Sequence, residues 1–233
     1  MSHDTGKVRV RVDEKSGLLS RLSDFRLVVF VKEPKVGTVK TRLAEKMGAE
    51  GACLAYIEMV ERLLVVLRGF DAVTLYHTPT HAGHYIRKWS SSNPSWKLRE
   101  QLDGDLGRRL RRAFLEEFAS GEKKVIVIGS DCPSILASDI TSASDLLNRR
   151  DVVVGPAVDG GYWLIGMRSP HMDLFESMPW SRATLFDQTW RRARTLGLSR
   201  AKLRTLADID TIDDWNEWKG GPFNGGNEGK HAV

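Results

Sequence analysis

The stretch VVFVKEPKVGTVKTRLAEKMG (residues 28–48) begins as a buried strand, passes through a basic loop and ends as a helix. Pro34 and Gly37 allow a tight loop, and the first amides of the helix beyond it can face an anion. An arginine such as Arg42 can bind a phosphate through two hydrogen bonds at once. The pattern indicates a loop that binds nucleotide phosphates, and the alternative is a basic surface loop with a turn. The cations of this loop are Lys32, Lys35, Lys40 and Arg42.

Two common nucleotide-binding motifs are missing from this loop, the G-x-x-x-x-G-K-[ST] of a P-loop and the G-x-G-x-x-G of a dinucleotide fold. The 233-residue chain, 41% hydrophobic and 28% charged, has the composition of a globular protein. Its net charge of +5 favours anionic ligands. The basic residues are scattered or lie along helices, so we expect no nucleic-acid partner. No apolar run approaches the roughly 18 residues that span a bilayer, so we expect no membrane partner and a cytoplasmic location.

Apolar runs alternate with helical patterns along the chain, which predicts a single α/β domain with a mainly parallel central sheet flanked by helices on both faces. In such a sheet, ligands bind at the carboxyl ends of the strands. We expect a weakly ordered or peripheral arm over residues 1–24, the folded domain over 25–218, and a flexible tail over 219–233. The predicted strands are 26–32, 72–77, 124–130, 151–157, 161–167 and 203–206, and the predicted helices are 52–67, 84–90, 106–119, 138–150, 184–195 and 211–219.

The central predicted strand ends in VIGSDCP, so Asp131 projects from the end of an apolar run that Pro133 prevents from continuing. A carboxylate in this place can hold a divalent ion that bridges phosphates. The alternative is an aspartate that forms a turn or caps a helix. Ser138 or Asp139 is better placed to cap the next helix, which favours a functional role for Asp131.

Two loops place a glycine beside an aspartate. In GPAVDGGYWLIG, Asp159 and two glycines follow a predicted strand, which is a strong hairpin signal, but paired glycines also let a backbone approach a ligand closely. Both interpretations are compatible. Tyr162 and Trp163 point to opposite faces of the next strand, so one should lie in the core. In QLDGDLGRRL, Gly104 precedes Asp105, which we expect to cap the following helix.

The segment LADIDTIDDW carries four aspartates around the start of the last predicted helix. Thr211 is a plausible N-cap, and Asp213 and Asp214 then lie in the first turn, where the helix dipole favours acidic side chains. Asp208 and Asp210 precede the cap and could therefore face the cleft.

Five ordered motifs resemble those of one family: K-E-P-x-x-G-x-V-K-T-R-L, G-D-L-G-x-R-L, I-G-S-D-C-P, G-P-A-x-D-G-G-Y-x-L-I-G and D-I-D-T-x-x-D-W. The set covers roughly residues 27–218 and resembles bacterial candidate glycosyltransferases with the Rossmann-like GT-A, or nucleotide-diphospho-sugar transferase, fold. Members are often associated with radical-SAM proteins or with arsenosugar biosynthesis. The resemblance implies a nucleotide or nucleotide-sugar and a small-molecule acceptor as partners, with Mg²⁺ or Mn²⁺ as cofactor.

The same resemblance implies roles for individual residues. Asp131 takes the place of the metal-binding acid and is implied to be catalytic, but the usual D-x-D is interrupted by Pro133. The second catalytic and metal-binding carboxylate would be Asp159, or otherwise Asp210. The W-G-T of the family is replaced by W-S-R-A-T at residues 180–184. The nucleotide-binding residues would be Lys32, Gly37, Lys40, Arg42, Gly104 and Asp105. The substrate-binding residues would be Gly160, Gly161, Tyr162 and Asp210.

Two activities fit this fold, and the fold alone does not choose between them. The main prediction is a metal-dependent transferase that moves the glycosyl group of a nucleotide-sugar to a small acceptor. The alternative is a nucleotidyltransferase that joins a nucleoside monophosphate from an NTP to a phosphorylated small molecule and releases pyrophosphate. The V-K-T-R-L loop resembles the A-K-S-R-L loop of phospholactate and phosphoenolpyruvate guanylyltransferases, and the D-I-D-T-x-x-D ending resembles molybdenum-cofactor nucleotidyltransferases. The sequence does not predict the oligomeric state.

Overall fold

A computed structural model describes residues 24–221, together with the backbone of two short strands, β1 (Arg11–Val12) and β2 (Leu19–Ser20), that pair antiparallel. Apart from these strands and Asp24, the predicted arm over 1–24 lies outside the described residues, as does the predicted tail beyond residue 221. Within the part that is described, no helix is long and apolar enough to cross a membrane.

One mixed sheet of seven strands forms the centre of the fold, in the order β5-β4-β3-β6-β8-β7-β9. Only β8 runs antiparallel to its neighbours within this sheet, so the predicted single α/β domain with a mainly parallel sheet is confirmed. The strands are β3 (Arg26–Lys32), β4 (Val73–Thr78), β5 (Lys97–Glu100), β6 (Val125–Ile128), β7 (Val152–Pro156), β8 (Tyr162–Met167) and β9 (Arg200–Lys202).

Helices cover both faces of the sheet because successive strand residues point to opposite sides. Leu27 and Val29 belong to the core on one face, while Val28 between them belongs to the core on the other. The first face packs against the long helix α1, and the second packs against α3. The helices are α1 (Thr41–Leu67), α2 (His84–Ser90), α3 (Leu106–Ala119), α4 (Ala137–Leu147), α5 (Leu185–Thr195) and α6 (Ile212–Gly220), with a 3₁₀ turn at Met172–Phe175.

Three elements differ from the prediction. The first helix begins at Thr41 rather than residue 52, and its backbone leaves the helical conformation at Gly48, whose φ is +76°. The last strand lies at 200–202 rather than 203–206, because Leu206 forms only an isolated bridge with Ala157. Strand β5 was not predicted, since its sequence KLRE has no apolar run and it lies at the edge of the sheet.

The helix caps agree with the sequence at two of three places. The Asp105 carboxylate accepts the Arg108 amide at 2.8 Å, and Thr211 caps α6 in a reciprocal arrangement with Asp214. The prediction for α4 was wrong in detail: its N-cap is Leu136, and the Asp139 carboxylate accepts the Leu136 amide from the third helical position.

Candidate active site

A cleft of about 780 Å³ opens at the carboxyl end of the parallel strands. Strands β3 and β6 end there, and the hairpin that joins β7 to β8 turns at the same edge. Loops from distant parts of the chain therefore converge on one space, as expected for an open α/β sheet. The walls are formed by the loop that leads from β3 into α1, by Ser130–Cys132, by the β7–β8 hairpin, by residues 181–185 and by the segment before α6.

Lys40 connects two of these walls, the residues after β6 and the segment before α6. It lies directly before α1 in the left-handed conformation, with φ of 48°, which is uncommon for a residue other than glycine. Its Nζ lies 3.1 Å from Asp131 Oδ1 and 2.9 Å from Asp210 Oδ1, and its side chain is only 6% exposed. Burial alone would lower the pKa of Lys40, but the charges of both carboxylates outweigh it and raise the pKa. The lysine is therefore a permanent cation between two acids.

The two acids bound by Lys40 remain open to the cleft. The side chains of Asp131 and Asp210 are 53% and 41% exposed, and Arg42 Nη1 lies 3.6 Å from the second oxygen of Asp210. The segment before α6 is held against the end of β6 because the Ile209 amide donates to the Asp131 carbonyl at 3.0 Å. Sequence reasoning had ranked Asp159 ahead of Asp210 as the partner of Asp131, whereas Asp210 is the acid that shares a lysine with it.

Asp159 lies in the β7–β8 hairpin and also lines the cleft, so both interpretations of the D-G-G segment hold geometrically. Its Oδ1 accepts the Gly161 amide at 2.7 Å, which fixes the turn. Asp208 lines the cleft as well, and burial, followed by the charges of Asp159 and Asp210, raises its pKa to about 6. The sequence had placed Asp208 toward the cleft, but no local signal distinguished it as a site residue.

The oxygen donors of these four aspartates suit a hard divalent cation such as Mg²⁺ or Mn²⁺. Burial is the main cause that raises the pKa of Asp208, and the charges of Asp159 and Asp210 add to it, so a divalent cation would relieve the second of these causes. Over residues 24–221, no three metal-ligating side chains are already gathered into one site.

The loop after β3 is held in shape by its own hydrogen bonds. Lys32 Nζ donates to the Thr38 carbonyl at 2.6 Å, which leaves its other two N–H groups available, and the Thr38 amide closes a turn onto Lys35. Gly37 provides the left-handed residue of this turn, with φ of +79°. Glu33 accepts the first amides of α2 and is therefore a helix cap rather than a cleft residue.

The predicted site residues divide into two groups by position. Those that line the cleft are Lys32, Lys40, Arg42, Asp131, Asp159, Gly161, Tyr162 and Asp210. Those outside its lining are Gly37, Gly104, Asp105 and Gly160. Asp105 caps α3, and Gly160 packs against the Ala183 carbonyl, so both have structural roles. Trp163 is the buried member of the Tyr162–Trp163 pair, although both contribute to the cleft wall.

The cleft also contains side chains that were not among the predicted site residues, including Gln101, Arg109 and Arg182. Gln101 Nε2 donates to the Val31 carbonyl at 3.2 Å and the Tyr76 carbonyl at 2.7 Å, which bridges the ends of β3 and β4. Arg109 lines the cleft from the first turns of α3, and Arg182 lines it from the loop before α5. Arg109 is the arginine of the G-D-L-G-x-R-L motif and Arg182 lies in W-S-R-A-T, but the sequence alone does not show that either side chain reaches the cleft.

Comparison with protein families gives a match to DUF2064, described as an uncharacterized protein conserved in bacteria, over residues 64–182. The match covers just over half of the chain and includes Asp131 and Asp159. The chain belongs to the DUF2064 family. The basic loop with Lys40 and the acids before α6 lie outside residues 64–182, the range that the DUF2064 family matches.

Two solved structures similar to this DUF2064 protein are named as transferases. A candidate nucleotide-diphospho-sugar transferase from Desulfovibrio desulfuricans G20 is 30% identical, with a TM-score of 0.80 over 89% of this chain and 90% of that one. A cytidylyltransferase from Leptospira borgpetersenii is 14% identical, with a TM-score of 0.53 over 84% of this chain and 85% of that one, which shows the fold alone.

One curated relative is a 2-phospho-L-lactate guanylyltransferase from Methanocaldococcus vulcanius, 20% identical to the DUF2064 protein over 146 residues. The matched part spans 63% of each chain, so less than two thirds of the relative is covered. The sequence-based prediction of a transferase is borne out at the level of reaction class, because the Desulfovibrio desulfuricans protein and the curated relative are both named transferases.

Proposed function

We propose that this DUF2064 protein is a nucleotidyltransferase, which reverses the order of the two activities expected from the sequence. It would join a nucleoside monophosphate from an NTP to a phosphorylated small molecule and release pyrophosphate. The observation that carries the proposal is the bridge formed by Lys40, which joins the basic loop to Asp131 and Asp210 at the ends of the central strands. The likeness of part of the chain to a guanylyltransferase supports this choice.

The charges that line the cleft favour anionic substrates. Its cations outnumber its four aspartates by one, and one divalent ion would add two further positive charges. An NTP with a phosphorylated acceptor carries about six negative charges near neutral pH, against about two on a nucleotide-sugar with a neutral acceptor. Both substrate pairs are anionic, so the net positive charge of the cleft attracts either one and does not choose between the two activities. The cations are Lys32, Lys40, Arg42, Arg109 and Arg182.

The residues that would hold the metal are Asp131 and, from the same cleft, Asp159 or Asp210. When bound, the cation would offset charge on the triphosphate and on the leaving pyrophosphate. Asp131 and Asp210 keep about half of their side-chain surface exposed, so each can offer an oxygen while Lys40 holds the other side. We favour Asp210 over Asp159 as the second metal ligand, because the Lys40 ammonium orients both Asp210 and Asp131.

The residues of the chain would act mainly by positioning and by electrostatic stabilisation. Lys32 and Arg42 would bind the triphosphate along the loop after β3. An oxygen of the acceptor phosphate would attack the α-phosphorus, forming a new phosphoanhydride bond. The bond from the α-phosphorus to the oxygen shared with the β-phosphate would break, and pyrophosphate would leave with the electron pair.

Glycosyl transfer is the second candidate, favoured by the 30% identity to the Desulfovibrio desulfuricans protein. In that reaction an acceptor would attack the anomeric carbon, an NDP would leave, and Asp159 would position the sugar or the acceptor. The association with radical-SAM proteins or arsenosugar biosynthesis and the cytoplasmic location remain predictions.

A thermal-shift comparison of donors tests the proposal. The four NTPs, the matching NDPs and a panel of NDP-sugars are each added with and without Mg²⁺ or Mn²⁺, and binding to the folded state raises Tm by mass action. We expect metal-dependent stabilisation by at least one NTP, greater than that by its NDP. Stabilisation by an NDP-sugar beyond its NDP, with none by any NTP, would reject nucleotidyl transfer in favour of glycosyl transfer.

Matched variants locate the site in the same assay. Asp131→Asn should abolish the metal-dependent part of the shift, whereas Asp145→Asn, an exposed acid on α4, should not change it. Arg42→Ala should weaken the shift given by NTPs, whereas Lys35→Ala, in the same loop but outside the cleft lining, should leave it unchanged. Equal responses of Arg42 and Lys35 variants would show that the nucleotide binds elsewhere.

A further inference from the structure

The loop at residues 176–184 is fixed in an unusual conformation beside the cleft. Ser177 and Ser181 both adopt left-handed backbone angles, with φ of 49° and 62°, which are uncommon for residues other than glycine. The ring of Trp180 lies so close to Gly107 of α3 that a Cβ at that glycine would overlap it. The Ala183 carbonyl is equally close to Gly160 in the β7–β8 hairpin. Two glycines thus allow the loop to pack directly onto its neighbours.

This packing presents Arg182 to the cleft without a partner. Its side chain lines the cleft and is exposed, and within residues 24–221 its guanidinium makes no hydrogen bond or ion pair. Lys40 and Arg42, in contrast, both lie within ion-pair distance of Asp210. A free guanidinium presents five N–H donors in a geometry that matches a phosphate.

A second cation belongs to the same region. Arg109 lines the cleft about half a helical turn after Gly107. Its Nε donates to the Gly104 carbonyl at 3.0 Å, and this hydrogen bond fixes the orientation of the guanidinium group. The contact of Trp180 with Gly107 brings the Arg182 loop to this end of α3. Arg109 and Arg182 both line the cleft, and the contact of Trp180 with Gly107 joins the two elements that carry them.

This part of the wall is distinct from the loop that carries Arg42. The Arg182 loop packs on the hairpin after β7, while the other loop follows β3, and β6 and β8 lie between these two strands. Three strand spacings separate the strands by about 14 Å. The two loops therefore reach the cleft from different strands, and Arg182 and Arg42 can each bind a separate anion.

We propose that Arg182, assisted by Arg109, forms a second anion subsite that binds the phosphomonoester group of the acceptor. The identity of the anion as the acceptor rests on the proposed function, whereas the existence of a second subsite does not. The subsite would hold the attacking phosphate apart from the triphosphate, so that two groups of like charge occupy one cleft. The W-S-R-A-T sequence supplies the arginine at a place where the resembled family has W-G-T.

Site-resolved arginine modification of the wild-type protein tests the proposal. Phenylglyoxal reacts with accessible guanidinium groups, and peptide mass spectrometry gives the modification rate of each arginine. The rates are measured with inorganic phosphate, with Mg²⁺ and the best-binding NTP, and with potassium chloride at matched ionic strength. Arg191, exposed on α5 and outside the cleft lining, is the internal control.

We expect inorganic phosphate at ten times its half-saturating concentration to slow modification of Arg182 about tenfold by simple occupancy, and to leave Arg191 unchanged. The NTP should protect Arg42 and leave Arg182 reactive, and phosphate should still protect Arg182 when the NTP is present. Failure of every NTP to protect Arg42 would count against the proposed function and not against the second subsite. Equal modification of Arg182 with and without phosphate would overturn the subsite, as would protection of Arg182 by the NTP alone.

Discussion

Replacing Lys40 by Met tests the bridge between the basic loop and the two aspartates, because methionine keeps most of the side-chain volume and removes the charge. The left-handed backbone of residue 40 is equally unfavourable for both residues, so it does not affect the comparison. Two close ion pairs are lost, at 3.1 and 2.9 Å. The variant therefore isolates the contribution of the ammonium group.

The expected cost is moderate because water can reach both acids. A fully buried charge left unpaired would cost about 3–5 kcal/mol, but Asp131 and Asp210 are each about half exposed and can be hydrated again. Exposed ion pairs contribute about 0–1 kcal/mol each, so we expect Lys40→Met to lower the free energy of unfolding by about 1–2 kcal/mol. For a chain of this size, that corresponds to a fall in Tm of about 2–8 °C.

Urea unfolding of a double-mutant cycle measures the effect. The wild type, Lys40→Met, Asp210→Asn and the double variant are compared without ligand, and we expect a coupling energy of about 1 kcal/mol. Lys35→Met, at an exposed position of the same loop, should change stability by less than about 0.5 kcal/mol. Additive effects of the Lys40 and Asp210 substitutions would refute the bridge, as would equal losses from the Lys35 and Lys40 substitutions.

Three further predictions concern the rest of the fold. Gly160→Ala should lower the free energy of unfolding by about 2–4 kcal/mol, because the backbone at residue 160 has a φ of +86° and the new Cβ would overlap backbone atoms of Ala183. Gly197→Ala is the matched control: its φ is +70° but the space around it is open, so it should cost about 1 kcal/mol in the same urea measurement. Equal costs for the two variants would contradict the packing of the loop. The Ser199 hydroxyl is the main cause that lowers the pKa of Asp151 to about 2, so the ionised carboxylate stabilises the fold above pH ~4 and this contribution is lost as the pH falls toward 2. Asp151→Asn should therefore be less stable than the wild type at pH 7, the difference should shrink as the pH falls toward 2, and a difference as large at pH 2 as at pH 7 would contradict this cause. Burial raises the pKa of the Cys132 thiol to about 12, so it should not react with iodoacetamide at pH 8 until the protein unfolds, and labelling of the native protein followed by mass spectrometry would show otherwise.

Local sequence signals were sufficient for most of the fold. The strand over residues 26–32 and the helix over 106–119 have the predicted bounds, because apolar periodicity and the Asp105 cap act within each segment. The cap at Thr211 was predictable for the same reason. Strand β5 was not, since an edge strand is defined by its pairing with β4 rather than by its own composition.

The site was predictable in its parts but not in its arrangement. The charges of the loop after β3 and the position of Asp131 follow from strand ends, which the sequence reveals. The contact of Lys40 with Asp210 joins residues 170 positions apart, and no local pattern encodes it. The same holds for Arg182, which reaches the cleft only because its loop packs on Gly107 and Gly160.

Product analysis by ³¹P NMR tests the central claim most directly. The protein is incubated with Mg²⁺, the NTP that gives the largest thermal shift, and a panel of small phosphorylated carboxylic acids and sugars, with Asp131→Asn as the control. Nucleotidyl transfer predicts the resonance of pyrophosphate together with two new coupled resonances from a phosphoanhydride that joins the NMP to the acceptor, all absent with Asp131→Asn. Release of an NDP from a nucleotide-sugar, with no pyrophosphate formed from any NTP, would contradict the account.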